Sequence, residues 1–452
     1  MQDVTLVIAV VVVVLVITLR PAYALAAYIA GLLWYPGYLP VSVGTIDIPV
    51  GRFVVGVLLL RCLYDSRIRN KFVWSKLDSF VTLGMIAFVV PYFFTLDQPI
   101  SMTVQNRGGF LMDTWCAYLA ARFIITSRAR LVSVVKCVAV LLVPLAVLGA
   151  VESMTGWRPF YALVRYSPWY REGSGGFLRD ARFGLARAVG PFSHAILFGG
   201  GFAMFLPLIY YLRYEKGRWH SLAYVLSITA LIGALSSMSS GPWVMTLAVI
   251  LCLMMERHRK RIKSMFVFLV FSCIFIGLAS NRPFYHVIVS WANPLGGAGW
   301  HRAKLIDLAV EHFNEWWQLG YGMTDPGWGH DLGAGSITDV TNEFILAGVR
   351  YGILGVIALC LILVVAFRGL ISTYGRLTHP AMKSLCWAFG SLLFSVVVCW
   401  MSVSFFGQLM PLFYICLGMI GSISISKFNW QIPNKISLLR NRPAQMASRI
   451  RA

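Results

Sequence analysis

Residues 131–151 read LVSVVKCVAVLLVPLAVLGAV, with Lys136 as the only charge. A helix rises 1.5 Å per residue, so this stretch is long enough to cross ~30 Å of hydrocarbon. Its apolar residues are continuous rather than alternating. Neither a half-buried strand nor a membrane β-barrel accounts for that pattern. Working outward, similar runs recur at about 4–19, 21–39, 46–64, 79–95 and 108–126 on the N-terminal side. On the C-terminal side they lie at about 191–212, 221–237, 241–255, 264–281, 343–367, 384–404 and 409–426. The pattern predicts an all-α fold: a polytopic transmembrane helical bundle of about thirteen spans. The range is twelve to fourteen, because the first three runs lie close together. Two long outer loops interrupt the bundle, the second partly helical.

Composition agrees. The chain has 452 residues, 58% apolar and only 13% charged, about half the charged share of an ordinary soluble domain. Soluble, secreted, disordered and coiled-coil readings are excluded. The first run carries Asp3 and no basic n-region, so it reads as an anchor and not as a cleaved signal peptide. The nine cysteines fall in the spans or at their edges, without a CxxC spacing, which argues against a disulfide framework or a thiolate metal site.

Orientation follows from Lys and Arg placement. One set of connections, with the C-terminal tail, holds 27 of the 39 basic residues against four acids, Asp65, Asp78, Glu215 and Glu256. That side is expected to be cytoplasmic and to face anionic lipid, so the basic balance implies a bilayer partner and no nucleic acid. The organisation expected is N-terminal spans in 1–151, an Arg-rich loop in 152–190, central spans in 191–281, a large loop in 282–342, C-terminal spans in 343–426 and a basic tail in 427–452.

Long ordered loops on a rigid scaffold are where chemistry concentrates. The first loop holds Arg158, Arg165, Arg171, Arg179, Arg182 and Arg187, against the positive-inside trend. Of the 12 bases off the basic side, 11 are Arg and one is Lys304. A guanidinium offers a planar fork for phosphate oxygens and keeps its charge when partly desolvated. The loop therefore suggests an anionic phosphate ligand, the alternative being pairing with local acids or lipid headgroups.

The second loop contains HRAKLIDLAVEHFNEWWQ at 301–318, where Leu305, Leu308, Ala309, Phe313 and Trp316 recur at helical spacing. Asp307, Glu311 and Glu315 form an opposite stripe, read as a solvated face or a sugar- or cation-binding one. No metal site is expected. Glycines at 320, 322, 327, 329, 333 and 335 surround Trp328, His330 and Asp331. Such a run folds over a ligand or serves as a connector. Asp339 or Thr341 is positioned to cap the following span. Arg350 lies about two turns inside it, with Asp113 or Glu152 as candidate partners, and Arg52 and Asp47 read as a local pair.

Four segments resemble the O-antigen ligase and O-antigen polymerase superfamily of bacterial membrane glycosyltransferases. They are ESMTGWRPF (152–160), RAVGPFSHAILFGG (187–200), LSSMSSGPW (235–243), and HRAKLIDLAVEHFNEWWQLGYG (301–322) together with TNEFILAGVRYGILG (341–355). The likeness covers roughly 150 to 355. It implies transfer, at the periplasmic face of the inner membrane, of a glycan carried on undecaprenyl pyrophosphate to an acceptor glycan. Polysaccharide assembly proteins are possible partners, and neither cofactor nor metal is implied. By the resemblance, Arg187 and Arg302 match the family arginines, and Arg182, Arg179, Arg350 and Asn342 join them as candidate substrate-binding residues. The ligases place a His directly before the Asn that opens the helix after the large loop. Here that position is Thr341, which cannot accept a proton near neutral pH. Asp339, Glu343 and His330 are the candidate bases. The departure favours a repeat-unit polymerase over a ligase that loads lipid A core. A transporter of a small anion or lipid-linked sugar, and a structural subunit, are the readings from other classes.

Overall fold

The computed structural model describes residues 2–44, 46–95, 99–168, 181–281, 283, 285–287, 299–333 and 337–431. The chain is a helical membrane-protein fold. Among the described residues, seven helices are long and apolar enough to cross a membrane.

The N-terminal part comprises α1 (Gln2–Thr18), α2 (Pro21–Trp34), a hairpin of β1 (Pro40–Val43) and β2 (Ile46–Pro49), and α3 (Val50–Tyr64). The run at 46–64 was expected to be helical throughout. It begins instead as a strand, because Pro40 pairs with Pro49 and Gly44 takes φ +62° at the turn. A single turn, α4 (Ser66–Arg69), leads to α5 (Lys76–Val89), which starts with a Ser75–Asp78 capping box. The run at 108–126 is three pieces: the end of α6 (Ile100–Leu111), a π-helical turn at Met112–Cys116, and α7 (Ala117–Ile124). Such a bulge lets one helix re-aim its side chains mid-course.

The central part is α8 (Arg128–Thr155), a short α9 (Tyr161–Val164), a small hairpin of β3 (Ala181–Arg182) and β4 (Leu185–Ala186), then α10 (Ala195–Tyr211), α11 (Arg218–Ser236), α12 (Ser240–Met255) and α13 (Ile262–Ala279). The two hairpins are the only strand pairs among the described residues. α10 is the centre of the bundle, packed by α8, α11, α12 and the helix Pro380–Trp400. Lipid tails are as apolar as Leu, so close approach of small residues, more than hydrophobicity, holds such helices together. Gly233 of α11 lies against the Phe202 ring of α10, and Gly199 of α10 against Ser237 and Pro242. One side-chain network is fully buried: Asp78 of α5 accepts from Arg122 of α7 at 2.6 and 2.7 Å and from Tyr118.

The large loop contributes α14 (Gly299–Glu311) and α15 (Phe313–Trp316), followed by α16 (Glu343–Arg376), α17 (Pro380–Trp400) and α18 (Leu409–Ile423). The single helix expected over 301–318 breaks at His312, whose ψ of 20° leaves the helical range. The expected apolar stripe is buried at Leu305, Leu308, Ala309 and Trp316, where it meets Trp328 and Val349, while Phe313 turns outward. Beyond the break, residues 317–322 run into a kink in α16. There Gly352 adopts φ +70°, and the freed backbone groups are taken by the loop: Ile353 N–H donates to the Trp317 carbonyl at 2.8 Å, and Tyr321 N–H to the Val349 carbonyl at 2.6 Å. A helix interruption inside a membrane protein persists only when its polar groups are satisfied this way. The start of the tail is anchored, since Arg128 N–H donates to the Asn429 carbonyl at 2.9 Å. Residues 432–452, the rest of the expected tail, lie outside the described residues.

Candidate functional site

The site is assembled from four separated stretches that meet at the turn between α11 and α12. The 181–186 hairpin supplies the first. Phe183 and Gly184 both have positive φ, 53° and 75°, the geometry of a tight two-residue hairpin turn. The chain leaving it is pinned on three sides. Glu152, near the end of α8, accepts from the backbone N–H of Val189 at 2.8 Å and Gly190 at 2.9 Å. Arg158 donates to the Arg187 carbonyl at 3.0 Å, and Ala188 N–H donates to the Ser236 carbonyl at 3.0 Å. The Glu-x-x-x-x-x-Arg pair in 152–158 thus fixes where Arg187 sits without facing a ligand itself.

Arg187 is buried, and its Nη2 donates to Ser239 Oγ at 3.2 Å. Arg302, from the first turn of α14, donates from Nη2 to Ser240 Oγ at 3.1 Å. Two guanidiniums from two different loops therefore rest on adjacent serines at the N-terminus of α12. That helix end adds its own partial positive charge. The turn before it carries strain, since Met238 holds φ +44° without being glycine.

Arg182 is electrostatically coupled to both Arg302 and His194. Burial depresses the Arg302 pKa, and Arg182 works in the same direction. Arg302 Nε and Arg158 Nε are buried without a hydrogen-bond partner. His194 caps α10, with Nδ1 accepting from Ile196 N–H at 3.0 Å. Burial, then Arg187, then Arg182 push its pKa down to about 4, so it is a neutral imidazole at pH 7. The arrangement is cationic, partly desolvated and built of planar forks, which is the chemistry that receives phosphate oxygens.

Beside this cluster is a cavity of about 690 Å³ whose polar wall includes Arg52, Arg107, Asp113, Asp339, Glu343 and Arg350. Trp400, Phe405 and Phe406 form its apolar side, and the Phe406 ring contacts the His194 ring, linking cavity and cluster. Cys399 is within electrostatic reach of both Arg302 and Glu343. Glu343 is half-buried, and its Oε2 accepts from Phe405 N–H at 2.7 Å.

The candidates from sequence divide accordingly. Arg187, Arg302 and Arg182 come together in the cluster. Arg350, Asp339 and Glu343 line the cavity. Asn342 is used structurally: Oδ1 caps α16 by accepting from Phe344 and Ile345 N–H, and Nδ2 donates to the Met401 carbonyl at 3.1 Å. The cap is thus Asn342, in place of Asp339 or Thr341, since only its short side chain is set one residue before the first helical turn. Asp339 meets α14 through its backbone carbonyl, which accepts from His301 Nε2 at 3.0 Å. His330 is exposed on the 328–333 turn and is not on the cavity wall. Arg179 lies outside the described residues.

The expected pairings also change. Asp113 is taken by Arg52, through Nε at 2.9 Å and Nη2 at 2.7 Å, while Asp47 accepts from Ser42. Glu152 is committed to backbone N–H groups, and the electrostatic neighbours of Arg350 are Tyr351, Tyr92 and Glu343. Asp307 and Glu315 are not simply solvated: Asp307 accepts from Tyr285 and contacts His286, and Glu315 contacts His312 and Tyr321. Among the described residues, no three His, Cys, Asp or Glu side chains converge to hold a metal ion.

Sequence reasoning missed His194 and Arg107. His194 had a signal, a polar residue directly before the first helical residue of α10. Arg107 had none, because its burial depends on Tyr92, whose ring lies 3.5 Å below the guanidinium. No family model matches the chain, and no curated protein matches it.

Proposed function

We propose that the chain is a membrane glycosyltransferase of surface polysaccharide synthesis, polymerising oligosaccharide repeat units carried on undecaprenyl pyrophosphate. The observation that carries this reading is the meeting of Arg187 and Arg302 on Ser239 and Ser240. A diphosphate leaving group develops charge on the oxygen that bridged it to the sugar, and preorganised guanidiniums beside a helix N-terminus stabilise that charge. In this scheme the donor's pyrophosphate lies at the basic cluster. The acceptor sugar occupies the adjoining cavity, with Arg350 among its polar contacts.

The acceptor hydroxyl attacks the anomeric carbon of the donor's reducing-end sugar. The carbon–oxygen bond to pyrophosphate breaks, and the electron pair stays with the lipid diphosphate. The hydroxyl proton passes to a carboxylate. Glu343 suits that role better than Asp339, because it is half-buried on the cavity wall and held by the Phe405 N–H. By the positive-inside rule, the cluster and cavity face the periplasm and the tail is cytoplasmic in a bacterial inner membrane. Seven of the thirteen apolar runs form helices long enough to cross a membrane among the described residues, and the other six also contain helix.

The test is a chromosomal deletion followed by analysis of surface glycan and lipid-linked intermediates. Loss of long polymer with single repeat units remaining supports the polymerase. Full-length polymer stranded on undecaprenyl pyrophosphate would instead identify a ligase, and unchanged polymer with altered substrate flux a transporter.

A further inference from the structure

A second, larger cavity lies at the opposite end of the bundle, where the Lys- and Arg-rich connections gather. It measures about 1260 Å³, above the ~300–1,000 Å³ of an ordinary small-molecule pocket. It has two chemically distinct parts. The deep wall is hydrocarbon, from Ile228 and Leu231 of α11 and Ile250, Leu253 and Met254 of α12. That wall is open sideways, since Ile228 is 59% and Met254 64% exposed. The rim is cationic, with Arg213, Arg257, Arg259, Arg261 and Lys383, and among the described residues its one carboxylate is Glu256.

Glu256 is already committed to Arg213 at 3.1 Å. Two of the remaining cations, Arg259 and Lys383, share one aromatic ring. Arg259 Nη1 donates to Tyr374 Oη at 2.6 Å, its guanidinium lies 5.8 Å from the Tyr374 ring, and Lys383 Nζ lies 5.5 Å from the same ring. One tyrosine thus gathers two like charges whose mutual repulsion a bound anion would relieve. Tyr210 and Tyr214 flank Arg213 with ring distances of 3.7 and 4.9 Å. Aromatics at this level are what an interfacial headgroup site presents.

We propose that this cavity binds an anionic glycerophospholipid of the adjoining leaflet, its phosphate held by Arg259 and Lys383 and one acyl chain lying along Ile228, Leu231 and Leu253. A hydrocarbon slot under a ring of cations between membrane helices is complementary to that class and to no free anion, which would leave the slot unfilled. The site lies on helices that also build the other end, α10, α11, α12 and α17, so an occupied slot braces the scaffold that presents Ser239 and Ser240. The inference is independent of the glycosyl-transfer reading.

The test uses full-length protein purified in detergent and native mass spectrometry, with phosphatidylglycerol, phosphatidylcholine of the same chains, and inorganic phosphate as probes. Phosphatidylglycerol is expected to give stable adducts, phosphatidylcholine to give few, and phosphate not to displace the lipid. Arg259→Gln with Lys383→Gln is expected to weaken phosphatidylglycerol binding about 25-fold, roughly fivefold per lost cation. Equal binding by the double variant, equal binding of the two lipids, or displacement by phosphate overturns the proposal. If the double variant does not accumulate, Ile228→Trp fills the slot without touching the cations. It must lose the adducts, and unchanged retention overturns the proposal as well.

Discussion

Arg187 and Arg302 come from loops separated in sequence by four helices, α10 to α13, yet their Nη2 atoms donate to the hydroxyls of consecutive residues, Ser239 at 3.2 Å and Ser240 at 3.1 Å. The two loops therefore close on one helix end, and the charge they bring is concentrated there instead of spread over a surface.

Removing either guanidinium is expected to abolish polymer while the protein still inserts. Arg187→Ala and Arg302→Ala should each lower transfer at least about 100-fold, the scale of losing one preorganised charge-stabilising donor. Arg→Lys at either site should also be poor, because a point charge lacks the two-pronged contact. Polymer length and membrane protein level are measured together. Normal polymer in either Ala variant would remove the basic cluster from the mechanism.

The carboxylates of the cavity separate by substitution. Glu343→Gln keeps the Phe405 contact but not the proton acceptor, and should cost about 100-fold or more in transfer. Asp339→Asn should cost less than about tenfold, since the Asp339 contact with His301 of α14 is made by its backbone carbonyl. The reverse order of effects, read from in vitro transfer rates, would make Asp339 the base.

Acid sensitivity should trace to His194. Its pKa is pushed down to about 4 by burial, Arg187 and Arg182, while in the unfolded chain it is near 6.5. Between these values the unfolded chain binds a proton that the folded one refuses. The associated stability is therefore complete above pH ~6.5 and is lost as pH falls toward 4, by up to about 3 kcal/mol. His194→Asn retains a helix-capping acceptor and should flatten that part of the curve of thermal midpoint against pH. An unchanged slope would show that another group titrates there.

The kink in α16 depends on Gly352. A side chain there would meet both a positive φ and the Gln318 carbonyl. Gly352→Ala should prevent accumulation of folded protein. Gly327→Ala, at a similar φ of 79° but with nothing nearby, should cost only about 1–2 kcal/mol. Equal thermal midpoints for the two variants would argue that the loop is not wedged against the kink.

Arg122 and Asp78 form a sealed pair. Arg122→Met alone leaves a buried carboxylate without its cation and should destabilise by about 3–5 kcal/mol. Adding Asp78→Asn should recover part of that loss. No recovery in the thermal midpoint of the double variant would mean that Arg122 acts through Ser422 and the Val73 carbonyl instead.

By itself, the amino-acid order determined that the protein is a helical membrane protein, where its apolar runs lie, and which two loops gather the unusual charge. Helix length against hydrocarbon thickness and the sign of each connection are one-dimensional properties, so they survive without coordinates. It was the resemblance of four segments to a family, not charge or periodicity, that pointed to Arg187 and Arg302 individually. Their common resting place on Ser239 and Ser240 was decided only by tertiary structure, as were the exchange of Arg52 from Asp47 to Asp113, the cap at Asn342 and the wedge at Gly352. The physical reason is that lipid tails and buried side chains are equally apolar. A helix such as α10, buried on nearly every side, and one such as α11, largely exposed, read alike in sequence. Nothing in the order of residues then says how each helix is rotated or where a loop folds back, and those two choices bring the polar groups together.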